Sequence, residues 1–231
     1  MLPPGRPISS RPASDETRVS DADCLRAVLI AICEELPRQE QRLNELDAAL
    51  GDGDHGMTIT RCCRAIQGEV ERMPERSVAE ALDGIGNAVV SSAGGATGAL
   101  LGSAFDAASR ALKGDGPIGA TEVADMLEAA QRAVASRGRV GPGDKTILDA
   151  LLPAAAAARR VAEEGGTVAG AVGAAADAAE EGAAATRDMI GRAGRAARLG
   201  ERSLGHLDPG AVSTSMMLRA AADHLRDGGD R

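Results

Sequence analysis

Apolar positions along this chain fall three and four residues apart almost throughout, the spacing of a buried stripe on an α-helix. From Asp21 the stripe is Leu25, Val28, Leu29, Ile32 and Leu36, and it stops near Pro37. A shorter helix from about Gln39 to Leu50 carries Leu43, Leu46 and Leu50. Met57 to Met73 follows, then Ser77 to Val90 with Val78, Ala81, Leu82, Ile85 and Val89 on one face. Further helices are predicted from Leu100 to Leu112, from a Thr121 cap to about Arg137, and from about Val212 to Leu225 with Met216, Met217 and Leu218 inward. The alanine-rich stretch from Ile147 to Ala185 reads as two helices meeting through small residues, divided near Gly165 and Gly166. Alternation with period two occurs nowhere, so the predicted fold class is all-α. Residues 1–19 hold Pro3, Pro4, Pro7 and Pro12 among Arg, Ser and Asp, which predicts a disordered tail before a single domain over 20–231.

Composition sharpens the kind of helical core. The 231 residues are 44% hydrophobic, yet include no Trp, no Tyr and one Phe, Phe105. Ala, Leu, Val, Ile and Met must fill the interior, which suits closely approaching helices better than sheets. A formal net charge of −8 and the lack of aromatic stacking platforms argue against a nucleic-acid partner. No run approaches the roughly 20 apolar residues of a membrane span. Met1 to Ser20 has no apolar signal core, so the expected location is cytoplasmic. Cys24, Cys33, Cys62 and Cys63 fit neither zinc spacing nor a disulfide framework and are expected to be inert thiols, with one of the adjacent pair near the surface.

The chemistry is concentrated in the loops. LDAALGDGDHGMTITR, residues 46–61, puts Asp47, Asp52 and Asp54 within eight positions. Carboxylates this crowded repel one another, whereas a hard divalent cation such as Mg²⁺ turns the crowding into binding. In an extended loop Asp52 and Asp54 point the same way, with Asp47 arriving from the preceding helix end. The helix opening at His55 to Thr58 offers backbone N–H groups and a positive dipole end to an anion. Because Mg²⁺ commonly completes its shell with water and substrate phosphates, the cluster suggests a nucleotide. Taken alone, the same residues also fit a solvated Asp-Gly turn, and His55 a structural hydrogen-bonder.

Three familiar motifs fail on context. Gly51 to Gly56 matches G-x-G-x-x-G, but it follows a helix where the dinucleotide fold needs a strand. Gly138 to Thr146 resembles a phosphate-binding P-loop with Asp144 inserted before Lys145. Twelve positions from Asp52 stands Cys63, where a calcium-binding EF-hand needs a glutamate.

Four segments taken together, LDAALGDGDHG, SSAGGATG, SRGRVGPGDKTILDAL and GRAARLGERSLGHLDPGA, are similar to the nucleotide-binding L subunit of bacterial dihydroxyacetone kinase. The resemblance runs from about residue 21 to 227. It implies an eight-helix antiparallel barrel holding ADP or ATP in the loops at one end, with two Mg²⁺ ions between carboxylates and phosphates. By motif position Asp47, Asp52 and Asp54 would be the metal ligands, with His55, Gly56, Met57 and Thr58 near the phosphates. Ala96 and Thr97 would form the second contact loop, and Gly138 and Ile147 would border the adenine. Arg195 would approach the nucleotide, while Asp208, Pro209 and Gly210 would close the site. Arg198 stands where the family has an aromatic residue before LGER, and Thr58 replaces an asparagine-like residue after DHG.

The activity so implied is phosphoryl transfer to a small ketose held on a partner kinase subunit, with no covalent nucleophile on this chain. Exchangeable ATP and bound ADP recharged by a phosphotransferase-system protein are both compatible, as is a homodimer. The alternatives are a nucleotide-sensing module without transfer and a metal-stabilised structural bundle.

Overall fold

The computed structural model describes residues 20–73, 76–114 and 116–228. The α-helices are α1 (Asp21–Glu35), α2 (Glu40–Ala48), α3 (His55–Val70), α4 (Val78–Ala93), α5 (Gly95–Ala111), α6 (Ala120–Gly138), α7 (Leu148–Glu163), α8 (Val168–Ala185) and α9 (Pro209–Asp227). No strand occurs among the described residues. All but α2 are 15 residues or longer, so the expected eight-helix barrel is present, with α2 as a nine-residue spur. Leu36–Gln39 continues α1 as a 3₁₀ turn in which Pro37 can sit without breaking a hydrogen bond.

Consecutive long helices pack side by side, α9 returns to α1, and α1 lies against α3, which closes the ring. Two links are especially short: Gly94 alone separates α4 from α5, and residues 164–167 separate α7 from α8. Short links make neighbours antiparallel, so the connections alternate between two ends. At one end gather residues 49–54, Gly94, 139–147 and 186–208. At the other, the Ile118 N–H donates to Asp21 Oδ2 at 2.9 Å and joins the α5–α6 connection to the start of α1.

Leu36, Leu43, Ile59, Met73, Ile85 and Leu148 are fully buried inside the ring. Each contributes on the order of 1.5–3 kcal/mol by leaving water. Small residues then set how near the helices come. On the α7–α8 face Ala150, Ala154, Ala158, Ala171, Ala175 and Ala179 are buried, as the alanine-rich sequence implies.

Some sequence expectations need correction. Gly119, in place of Thr121, caps α6, because its N–H donates to Glu122 Oε2 at 2.9 Å. Cys62 and Cys63 are both buried, with Cys33 beside them, so neither thiol of the pair reaches the surface. Met216, Met217 and Leu218 are only half-buried, since Ala211, Val212, Ala221 and Ala222 fill the inner face of α9 and let its neighbours approach. The predicted tail, residues 1–19, lies outside the described residues.

Candidate functional site

Asp47, Asp52 and Asp54 converge so that one carboxylate oxygen from each lies within 4.8 Å of the others. The convergence is built locally. Asp47 is buried in the last turn of α2, and its Oδ2 accepts the N–H groups of Asp54 at 2.9 Å and His55 at 3.2 Å. That folds the loop back over the helix end. A side chain at Gly51 would press on the Asp47 carboxylate, and Gly53 takes a positive φ of 77°, so both glycines are needed for the reversal.

One cation faces the three acids. Arg195, the residue before a 3₁₀ turn (Ala196–Arg198) in the 186–208 segment, pairs with Asp52 and lies 3.5 Å from Asp54 and 3.8 Å from Asp47. It is half exposed. The guanidinium offsets the repulsion that an acid cluster carries by itself. A donor set of three oxygens at this spacing, one buried and two reachable from solvent, suits a hard divalent cation that keeps part of its shell for water or phosphate.

The expected anion site at the start of α3 is largely satisfied from within. Asp47 takes the His55 N–H, Asn44 Oδ1 accepts the Met57 N–H at 3.2 Å, and the Thr58 N–H returns to Asp54 O. Only Gly56 keeps an amide without a protein acceptor among the described residues of that first turn. Gly56 itself is obligatory, since a Cβ there would lie 2.1 Å from Glu40 O on α2. Thr58 is buried, and its hydroxyl accepts from Arg61 at 2.7 Å. The open helix start belongs instead to α5. Gly94 and Gly95 both have φ of 62°, no side chain caps the helix, and Gly95 and Ala96 are exposed. Their amides point a positive dipole end into solvent.

His55 ties three helices together at this end. Its Nε2 lies 2.9 Å from Ser213 Oγ on α9, and its Nδ1 lies 3.4 Å from Thr97 Oγ1 on α5. Ser213 donates its own proton to Gly210 O at 3.1 Å, so it accepts from Nε2–H and leaves Nδ1 to accept from Thr97. Burial pushes the imidazole pKa down, against the opposing pull of Asp47 and the Pro209 carbonyl. The ring is therefore a neutral bracket. Ser213 was not anticipated, because a serine inside a helix resembles any other polar position.

The last two loops interlock. Asp208 caps α9 by accepting the Ala211 N–H at 2.7 Å, Pro209 opens the helix, and Gly210 leaves room beside Asp208 and Ile147. Desolvation pushes the Asp208 carboxyl up to about 7; the Ala211 N–H and Lys145 oppose this, while Asp149 and Asp47 add to it. Ile147 is buried at the start of α7. Gly138 ends α6 against Val140 and Leu100. Lys145 and Asp149 were also missed. Asp149 accepts the N–H groups of Gly143 and Thr146 at 2.5 and 2.8 Å and shapes the α6–α7 loop.

Comparison with known proteins agrees with this architecture. The ADP-binding subunit DhaL of the PEP-dependent dihydroxyacetone kinase of Escherichia coli K12 is 35% identical over 184 residues, 80% of this chain and 88% of that subunit. Human triokinase/FMN cyclase is 34% identical over 223 residues, 95% of this chain but 38% of that protein. The dihydroxyacetone kinase of C. freundii in complex with AMP-PNP and Mg²⁺ superposes with a TM-score of 0.69 and 28% identity, over 96% of this chain and 38% of that one. This chain thus spans most of a separate subunit and about two fifths of the longer kinases. The DAK2 domain pattern matches residues 49–223, from just after Asp47 to within the last turns of α9, and the chain belongs to the DAK2 domain family.

Proposed function

We propose that the chain is the nucleotide-binding phosphotransfer subunit of a kinase for dihydroxyacetone or a related short ketose, working with a partner subunit that holds the ketose. The observation that carries this reading is the convergence of three carboxylates within 4.8 Å, at the same end of the ring as the uncapped start of α5, whose Thr97 meets His55. Relatives described as ADP-binding, and one solved with AMP-PNP and Mg²⁺, support it.

In this reading Asp47, Asp52 and Asp54 hold Mg²⁺, with two ions as the expected number, and His55, Gly56, Met57, Thr58, Ala96 and Thr97 surround the phosphates. Bound there, Mg²⁺ would neutralise charge on the phosphate oxygens during transfer. The amides of Gly95 and Ala96 donate to phosphate oxygens, and the neutral His55 keeps α3, α5 and α9 in register without carrying a proton. Arg195 exchanges its carboxylate partners for the phosphates, since a guanidinium and a metal ion compete for the same acid oxygens. Gly138 and Ile147 border the base, and Asp208, Pro209 and Gly210 close the site from α9. The phosphoryl source is ATP, or ADP recharged in place by a phosphotransferase-system protein. No helix of the described residues is long and apolar enough to cross a membrane, in keeping with a cytoplasmic partner of sugar metabolism.

The test uses the composition. With no Trp or Tyr the protein absorbs little at 280 nm, so bound adenine dominates its ultraviolet spectrum. Purified chain should acquire a 260 nm band with ADP and Mg²⁺ and, mixed with a ketose-binding subunit and ATP or a phosphoryl donor, should yield sugar phosphate. Nucleotide binding without turnover with any such partner favours the sensing module. Absence of Mg²⁺-dependent binding removes the reading altogether.

A further inference from the structure

We propose that Lys145 is the positioning residue that fixes the 186–208 segment over the carboxylate cluster, acting on the nucleotide through Arg195 and Asp208 without touching it. The inference rests on the phosphotransfer reading for its functional consequence and on geometry alone for the anchoring.

Lys145 is 1% exposed, and its ammonium donates to three backbone carbonyls: Thr186 at 2.6 Å, Met189 at 3.2 Å and His206 at 2.5 Å. An ammonium has three protons, and all are used. Thr186 and Met189 open the segment and His206 nearly closes it, so one side chain ties both ends to the α6–α7 loop. Thr186 adds to the closure, since its hydroxyl accepts the Asp208 N–H at 2.9 Å, and the Gly205 N–H donates to Arg187 O. The base of the anchor is itself braced by Asp149 and by Asp144, whose Oδ2 accepts the Gly141 N–H at 2.7 Å. A further tie runs from the Arg192 N–H to Asp144 O, three residues before Arg195.

Backbone conformation supports the same reading. Lys145 has φ of 63°, a left-handed setting that a side chain occupies at a cost and that glycine would take more easily. Burial draws the ammonium pKa down, opposed by Asp208 and Asp188, so the charge is held where desolvation disfavours it. Strain and desolvation at one residue, with every donor satisfied by one segment, mark a side chain whose task is to hold that segment.

The experiment compares wild type with Lys145→Met by limited trypsin digestion, amide exchange and nucleotide binding. Residues 187–202 hold Arg187, Arg192, Arg195, Arg198 and Arg202, so trypsin reports directly on whether the segment is held. The variant should keep its helical circular dichroism and be cut in this segment under conditions that spare wild type. Its affinity for Mg-ADP should fall about a hundredfold, the scale of a misplaced binding group. With partner subunit and ATP varied up to saturation, the KM for ATP should rise far more than kcat falls. Unchanged cleavage and affinity in a folded variant would overturn the proposal, as would a uniform loss of helix protection with unchanged affinity. Should the variant fail to fold, wild-type exchange decides: the amides of Arg192, Gly205 and Asp208 must open together and slowly, and fast independent exchange refutes the anchor. If the segment is released as expected but neither protein binds Mg-ADP, it is the phosphotransfer reading that falls.

Discussion

Asp208 and His55 both feel the charge of Asp47, and burial moves both toward neutrality. For Asp208 the carboxyl rises from 3.8 to about 7, so between those values the folded protein retains a proton that the unfolded chain has released. Stability from this group is full below about pH 4 and is lost as pH rises through 7. A gap of about three pH units corresponds to at most about 4 kcal/mol, and partial solvent access to the residue lowers the expected figure to about 2 kcal/mol. His55 acts with the opposite sign, because its depressed pKa removes stability as pH falls below the ordinary histidine value. Asp208→Asn separates the two, since asparagine keeps the cap on the Ala211 N–H and cannot ionise. Denaturant unfolding without metal or nucleotide should show the stability difference, variant minus wild type, growing by about 2 kcal/mol from pH 4 to pH 8. A difference independent of pH would mean that Asp208 ionises normally in the folded chain.

At the scale of elements, two glycines of α8 make a matched test of how closely this barrel is packed. A Cβ at Gly182 would lie 2.2 Å from Asp149 O and 2.9 Å from Pro153 Cγ on α7, whereas one at Gly173 meets no heavy atom within 4 Å. Gly182→Ala should therefore destabilise by about 2 kcal/mol, helix propensity being outweighed by overpacking, while Gly173→Ala should gain up to about 1 kcal/mol. Thermal unfolding of the pair checks the sign at each site, and equal shifts would place the α7–α8 contact elsewhere. The existence of these helices was legible because Leu25 to Leu36 and Val78 to Val89 repeat at helical spacing. Their ends were less so: Thr121 has the chemistry of a cap, but the chain starts α6 one residue before it, where Glu122 reaches Gly119. The aspartate cluster was legible from crowding alone. The occupied amides of α3 were not, because their acceptors Asn44 and Asp47 arrive from another helix. Lys145 and Asp149 were hidden for a related reason: in sequence GDKT is an ordinary polar turn, and only tertiary packing turns its charges into buried anchors. Arg195 was legible only through the family resemblance, since 143 positions separate it from Asp52.

The whole molecule places its candidate chemistry at one end of a ring whose helices alternate in direction, and this has a thermodynamic consequence. The loops of the site lie at the ends of every stave but α1, so a ligand touching the α2–α3 loop, the start of α5, the α6–α7 loop and the 186–208 segment would brace most of the barrel at once. Binding to the folded state alone adds about 2.7 kcal/mol at a free ligand concentration of one hundred times Kd. For a chain of this size that is a rise in Tm of about 5–10 °C. Asp52→Asn should leave the unliganded Tm within about 2 °C of wild type, because Arg195 still faces Asp47 and Asp54 and one like charge has gone from the cluster. The same substitution should abolish the Mg²⁺-dependent part of the ADP shift, since an amide is a poor replacement for an anionic oxygen on a hard cation. Scanning calorimetry of both proteins with and without Mg²⁺ and ADP gives the comparison. A full Mg²⁺-dependent shift in the variant would take Asp52 out of the metal site. A lowered unliganded Tm would instead make the Asp52–Arg195 pair a structural clasp for the 186–208 segment.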